Sequence, residues 1–286
     1  MFKRGDKIGI VCCSNGQKCA YKEKIKDLEN TLTKIGLQPV LSDYIYEKEN
    51  IFSGTAKERA NALMNFFYKN QDIKGIFDIS GGDVANGILP YLDYDIIANS
   101  PKIFWGYSDL TTVINAIYAK TGKTSVLYQI RNLIYDYKER QIADFSNTVM
   151  HNGTDLFKLK YEFVQQSKIK GIVIGGNIRC FLKLAGTEYM PKLENKVLLL
   201  ESFNGDVAKI ETYLCQLQQI GAFDKIAGII LGTFTEMDKE KYTPTVEELV
   251  KKMVSKELPI VSTKDIGHGT NSKAIVIGQE LCLEKL

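Results

Sequence analysis

Residues 101–113 read PKIFWGYSDLTTV, and the parsing of this stretch sets the architecture. Ile103-Phe104-Trp105 is a short apolar run of strand type. Gly106 and the polar cluster Tyr107-Ser108-Asp109 follow, after which Leu110, Val113, Ile114, Ile117 and Tyr118 fall at helical spacing. A strand therefore ends, the chain turns sharply, and a helix begins with Ser108 at the corner. Two readings of Ser108 are open. Ser and Asp are the residues expected at any helix N-terminus, where they accept from free backbone N–H groups. A serine on a strand-to-helix turn can equally project its hydroxyl above the sheet as a nucleophile, with the N–H groups of the new helix facing the same space. The GxSxG elbow pattern is incomplete, because Leu110 stands where the second glycine would be.

Outward from this corner the chain alternates. Strands are predicted at residues 7–11, 38–41, 75–79 and 103–105, with helices at 21–35, 57–68 and 109–118. This rhythm predicts an α/β fold with a flavodoxin- or Rossmann-like parallel sheet, and functional groups at the carboxyl ends of its strands. The pattern weakens from about residue 131, through Lys138-Glu139-Arg140 and the turn-like His151-Asn152-Gly153. A second alternating region follows, with strands at 171–174, 196–200, 226–231 and 274–277 and helices at 178–184, 207–220 and 246–254. The reading is two α/β lobes: residues 1–130, a connection over 131–165, and a smaller lobe over 166–286, with the cleft between them as the default site.

Composition narrows the function classes. Among 286 residues, 44% are hydrophobic and 25% charged, as in an ordinary globular protein. The net charge of +3 comes from scattered Lys and Arg, which argues against a nucleic-acid partner. The apolar runs are strand-length, so no membrane association is expected. The first apolar run, Ile8 to Cys13, is too short for a signal peptide and ends in Ser14-Asn15, which points to a cytoplasmic protein. The six cysteines form no CxxC pair and have no nearby histidine, so they read as small hydrophobes, and neither a metal nor a cofactor is expected.

A nucleophilic serine needs a base, and the chain has two histidines. His151 reads as a solvated surface residue. His268, in DIGHGTNS, has Gly267 and Gly269 beside it, which free the backbone and leave room around the ring. Glu201 closes the run Lys196-Val197-Leu198-Leu199-Leu200 at the functional edge of a parallel sheet. It can orient an imidazole or serve a helix start near Asn204 and Asp206. The turn Ser80-Gly81-Gly82-Asp83 suits close backbone approach to a ligand and can offer a second oxyanion donor beside the N–H after Ser108. Gly175-Gly176-Asn177 is a similar turn, with Asn177 as a candidate N-cap. Trp105 can stack on a ligand or fill the core. A non-catalytic reading, two lobes closing on a small ligand, uses the same glycine turns.

With these residues in hand, the chain resembles the LD-carboxypeptidase and microcin-immunity family of serine peptidases. The resemblance rests on GDKIGIV, DISGGDVANGILPYLDYDII, KIFWGYSDLTTV, GIVIGGNIRCFLKLAGTEYMP, KVLLLES, IAGIILGTF and IGHGT, in order across both lobes. It implies a Ser108–Glu201–His268 triad, with Ser108 as nucleophile and His268 as base. It further implies an oxyanion hole from the backbone N–H groups of Gly82 and Asp109; beside it, Gly81 and Trp105 are read from the residues themselves as candidate substrate contacts. The implied substrate is a murein tetrapeptide losing its terminal D-alanine, or a peptidyl-adenylate antibiotic, and the implied assembly is a homodimer. One departure bears on substrate preference: Leu127-Tyr128-Gln129 stands where the family commonly has Gly-Pro.

Overall fold

The computed structural model describes residues 2–285, so the outermost positions of the predicted lobes, 1 and 286, lie outside it. The first half carries β1 (Lys7–Val11), β2 (Gln38–Leu41), β3 (Ile73–Asp78), β4 (Ile103–Gly106) and β5 (Ser125–Leu127). The second carries β6 (Glu162–Gln165), β7 (Lys168–Asn177), β8 (Lys196–Ser202), β9 (Gly228–Phe234), β10 (Ile260–Ser262), β11 (Ile275–Ile277) and β12 (Glu280–Glu284). They form two sheets, in the orders β11-β5-β4-β3-β1-β2 and β12-β7-β8-β9-β10-β6.

Strands β1 to β5 are all parallel, in the flavodoxin-like order 2-1-3-4-5. In that order the chain reverses direction across the sheet between β1 and β3, and a crevice opens at their carboxyl ends. Ser14-Asn15 follows β1, Gly81-Gly82 follows β3, and Ser108 follows β4, so all three meet at this edge. The second sheet has a parallel centre, β7 to β10, with antiparallel strands on both flanks. Its register sets Asn177 beside Glu201 at its own carboxyl edge.

Three elements depart from the expected organisation. Residues 138–151, expected within a connection, form a helix that buries Gln141, Phe145, Thr148 and Val149. Two of those buried residues are polar, which hid the apolar period. Gln141 is satisfied by the Tyr128 hydroxyl and by Ser272 O, and Thr148 by the Leu156 N–H. Residues 162–165 add an edge strand to the second sheet. The strand at 275–277, expected in the second lobe, instead pairs antiparallel with β5 and covers the edge of the first sheet. The chain then crosses back as β12, so the two halves are stitched together after the His268 loop.

The halves also share apolar surface. Val113, Ile117 and Leu127 pack in one cluster with Val173, Val197, Leu199 and Val261. The far face of the first sheet holds a separate cluster that includes Ile25, Leu28, Phe77, Trp105 and Phe145. No helix among the described residues is long and apolar enough to cross a membrane.

The seam is fixed by the Thr111–Thr121 helix, which lies against the end of β7. Gly176 is required there, because a Cβ would stand 2.8 Å from Thr111 Oγ1. Buried Asn115 donates to Gly175 O at 2.9 Å and accepts from Gly175 N–H at 2.8 Å. Asn115→Ala strands both groups of a buried backbone unit. The expected loss is about 3 kcal/mol of unfolding free energy, read by urea denaturation. A loss within experimental error would mean that this pair does not hold the seam.

Candidate active site

The Ser108 corner is built by its neighbours. Gly106 ends β4 where a Cβ would meet Leu110 Cβ at 2.8 Å, so the tight turn needs glycine before the serine rather than after it. Leu110, which breaks the GxSxG pattern, folds back into this space. Tyr107 is extended, and Ser108 takes φ +56 in the left-handed region. A non-glycine residue there carries roughly 1–3 kcal/mol of strain, which the packed turn must hold. The N-cap positions of the short turn Ser108–Leu110 and of the Thr111–Thr121 helix fall to Tyr107 and Leu110, so neither falls to Ser108. Its Oγ lies 3.1 Å from His268 Nε2 instead.

His268 is held from behind by a loop seated on β9. Thr233 N–H donates to Ile266 O at 2.8 Å, and Ser272 Oγ donates to Gly267 O. Any side chain on Gly267 would overlap Thr233 Oγ1, so only glycine lets the loop settle. The imidazole lies between Tyr107 and Phe203, with ring centroids at 4.8 and 4.9 Å. His268 Nδ1 is 2.7 Å from Glu201 Oε2. With Nδ1–H donating to the carboxylate, Nε2 is left to accept the Ser108 proton. Glu201 is fully buried and caps no helix; Asp206 does that work for Val207–Gln219. His151 ends its helix on the exposed surface.

The glycine turn after β3 crosses the same space. Gly82 sits at φ +125, and a Cβ there would fall 2.2 Å from Asn15 Cγ. A Cβ on Gly81 would lie 3.9 Å from Ser108 Oγ, so Gly81 borders the Ser108 hydroxyl. Asp83 N–H donates to Asn15 Oδ1 at 3.1 Å, and Arg179 Nη2 donates to Gly82 O at 2.9 Å. Below the turn, Asp78 accepts from the Cys13 and Ser80 N–H groups and from Ser80 Oγ, while burial pushes its carboxyl above the usual range.

Asp109, expected only as a backbone donor, has a second role. Its carboxylate is fully buried, accepting from Ser14 Oγ at 2.6 Å, from Ala85 N–H at 2.8 Å and from the Lys183 ammonium. Lys183 also donates to Asp83 O at 2.8 Å. Arg179 and Lys183 are four residues apart on one helical face, which sets both against the Gly82-Asp83 turn. Tyr107 is the other residue that pattern reasoning passed over. Its hydroxyl lies 3.2 Å from both Glu201 Oε2 and His268 Nδ1.

Ser108, His268 and Gly82 open on one cleft of about 350 Å³, whose walls include Arg179, Lys209 and Tyr213. Trp105 is not among them. The expectation that it touches substrate is corrected: it is 1% exposed, stacked on Phe77 at 5.1 Å, on the opposite face of the sheet. A larger apolar cavity of about 440 Å³, which Trp105 does line, shares no residue with the cleft. Tyr128, in the segment that departs from the family pattern, is likewise buried, its hydroxyl donating to Gln141 Oε1. Cys12, Cys13 and Cys180 are buried and burial raises their thiols; Cys19 and Cys282 are exposed.

Comparison with known proteins covers both halves. Residues 8–128 match the LD-carboxypeptidase N-terminal domain, and residues 170–283 match the LD-carboxypeptidase C-terminal domain. The chain is 28% identical over 314 residues to the microcin C7 self-immunity protein MccF of Escherichia coli, covering 98% of this chain and 91% of that protein. It is 25% identical over 294 residues to a probable murein peptide carboxypeptidase of Bacillus subtilis, covering 99% and 90%. Among solved structures, MccF in complex with glutamyl sulfamoyl guanosine superposes with a TM-score of 0.87 at 26% identity, over 99% of this chain and 94% of that one. A muramoyltetrapeptide carboxypeptidase from Oxalobacter formigenes shares the fold, with a TM-score of 0.80 at 21% identity over 98% and 95%.

The Asp109 network yields a direct test. Lys183→Met leaves a buried carboxylate without its cation, and the expected cost is about 3 kcal/mol of stability by urea unfolding. A loss below about 1 kcal/mol, the scale of a surface ion pair, would remove Lys183 from the structural core of the site.

Proposed function

The chain belongs to the LD-carboxypeptidase family, matched in both of its domains, and on that premise we propose that it is a serine carboxypeptidase hydrolysing the L,D-amide bond to the terminal D-alanine of murein tetrapeptides. The observation that carries this reading is the run from Ser108 Oγ to His268 Nε2 at 3.1 Å and from His268 Nδ1 to Glu201 Oε2 at 2.7 Å.

In the proposed mechanism Ser108 Oγ attacks the scissile carbonyl while His268 Nε2 takes its proton. The carbonyl oxygen becomes an oxyanion beside the N–H groups of Gly82 and Asp109, and each such donor is worth about 3 kcal/mol in the transition state. Glu201 keeps the imidazole in the required tautomer and balances the imidazolium without taking its proton. His268 then gives the proton to the departing amine, the C–N bond breaks, and D-alanine leaves an acyl ester on Ser108. Water, deprotonated by the same nitrogen, attacks that ester and restores the serine hydroxyl. Lys209 gives the cleft a positive charge suited to a terminal carboxylate, while Arg179 is paired with Asp83 on the same wall.

A second reading is hydrolysis of the amide joining a peptide's last residue to a modified adenylate. It is favoured by the higher TM-score to MccF, 0.87 against 0.80, and by the aminoacyl sulfamoyl nucleosides bound in MccF structures. The chemistry at Ser108 is the same, and only the leaving group differs. The homodimer implied by the resemblance belongs to this proposal and is checked by light scattering of the purified chain.

Purified protein is expected to release D-alanine from a murein tetrapeptide, followed by mass spectrometry. Ser108→Ala is expected to lower the rate by roughly 10⁴-fold or more. A peptidyl sulfamoyl adenosine assayed in parallel separates the two leaving groups. Release by Ser108→Ala at the parent rate would sink the mechanism for either substrate.

A further inference from the structure

Tyr107 is the residue immediately before the proposed nucleophile, yet its side chain turns toward the other two members of the site. It is 3% exposed, and its ring meets the His268 ring edge-on at 4.8 Å. Its hydroxyl lies 3.2 Å from Glu201 Oε2, the same oxygen that His268 Nδ1 approaches at 2.7 Å. The other oxygen, Oε1, is buried with no hydrogen-bond partner among the described residues. Both donors to this buried carboxylate therefore converge on one atom, and Tyr107 supplies one of the two.

We propose that Tyr107 is a positioning residue: its hydroxyl donates to Glu201 Oε2, tethers the carboxylate against His268, and sets how strongly that oxygen pulls on the imidazole Nδ1 proton. The assignment rests on the carboxypeptidase reading only for its consequence in turnover; the hydrogen-bond competition itself does not depend on the substrate. Two donors sharing one acceptor weaken each other, so removing the phenol hydroxyl leaves Nδ1–H with the whole of Oε2. The imidazolium is then better stabilised, and more of the base is lost to protonation on the acid side.

The chemistry of the phenol agrees with a donor role. Burial, reinforced by the adjacent Glu201 carboxylate, holds the Tyr107 hydroxyl well above the usual phenol range, so it remains protonated throughout the working pH range. The remaining charged and titratable groups around this unit do not reach Oε2 by hydrogen bond. Cys180, which faces Tyr107, is a buried thiol raised by burial. Arg179, Asp83, Lys209 and Tyr213 line the cleft on the solvent side of the imidazole. On the His268 loop, Lys264 pairs with Asp238, and Asp265 accepts from Lys160 N–H.

The test uses Tyr107→Phe, which keeps the ring and deletes only the hydroxyl, with circular dichroism to establish that the variant is folded. The chain has two histidines, so isotope-labelled histidine gives a simple spectrum in which exposed His151 serves as internal reference. The His268 Nδ1 proton resonance is expected to move downfield in Tyr107→Phe while His151 stays in place. In turnover, kcat/KM on the acid limb is expected to fall about threefold with KM little changed, as that limb of the rate profile moves to higher pH by about half a unit. In the unsubstituted chain, a slowly exchanging tyrosine hydroxyl proton is expected to cross-relax with the His268 Nδ1 proton, which keeps the test valid if the variant fails to fold.

An unmoved Nδ1 resonance and an unmoved acid limb would overturn the assignment and leave Tyr107 as packing. A purified chain that released no D-alanine but showed the resonance shift would retire the carboxypeptidase reading and keep the tether.

Discussion

A carboxylate removed from water must be surrounded by donors, and Asp109 imposes that demand at the meeting point of the two halves. Its partners come from the loop after β1 (Ser14), the segment after β3 (Ala85) and the second half of the chain (Lys183). Leaving such a group unpaired costs several kcal/mol, so these three segments are obliged to converge. Their convergence holds Gly82 opposite Ser108, because Lys183 and Arg179 also grip the carbonyls of the Gly82-Asp83 turn. The residue after the serine thus orders the space in which the serine acts.

The division of labour between the sheets follows from this. The first sheet delivers the strained serine corner and the glycine turn at its reversal point, where an open α/β sheet gathers ligands. The second delivers Glu201 at a strand end and His268 on a loop clamped to β9. Neither half holds a complete hydrogen-bonded run alone. The seam made by Asn115, Thr111 and the Gly175-Gly176 turn therefore bears on the proposed catalytic geometry as well as on stability.

Much of this was legible in the sequence. The strand-turn-helix at residues 101–113, the glycine turns and the strand-end glutamate follow from local rules, and the two lobes follow from the alternation. What local rules could not reach were contacts made across the fold. The helix at 138–151 was hidden because Gln141 and Thr148 occupy buried positions where an apolar pattern was sought, each satisfied by a distant partner. The strand at 275–277 looked like a continuation of the second region, but the open edge of β5 claimed it. Trp105 offered no local sign of which sheet face it takes, and it entered the aromatic cluster with Phe77 and Phe145. Side-chain roles for Tyr107, Asp109 and Lys183 depend on pairings 74 to 161 residues apart in sequence, which no local pattern encodes.

The central claim is that Ser108 becomes covalently acylated. Its most direct test is intact-mass spectrometry of the protein quenched in acid during turnover of an activated ester of an L-terminal peptide, followed by peptide mapping. The expected result is a single adduct with the mass of the acyl group, located on Ser108, accumulating because the activated group leaves faster than water releases the acyl ester. Turnover with no covalent adduct, or an adduct on any other residue, would contradict it.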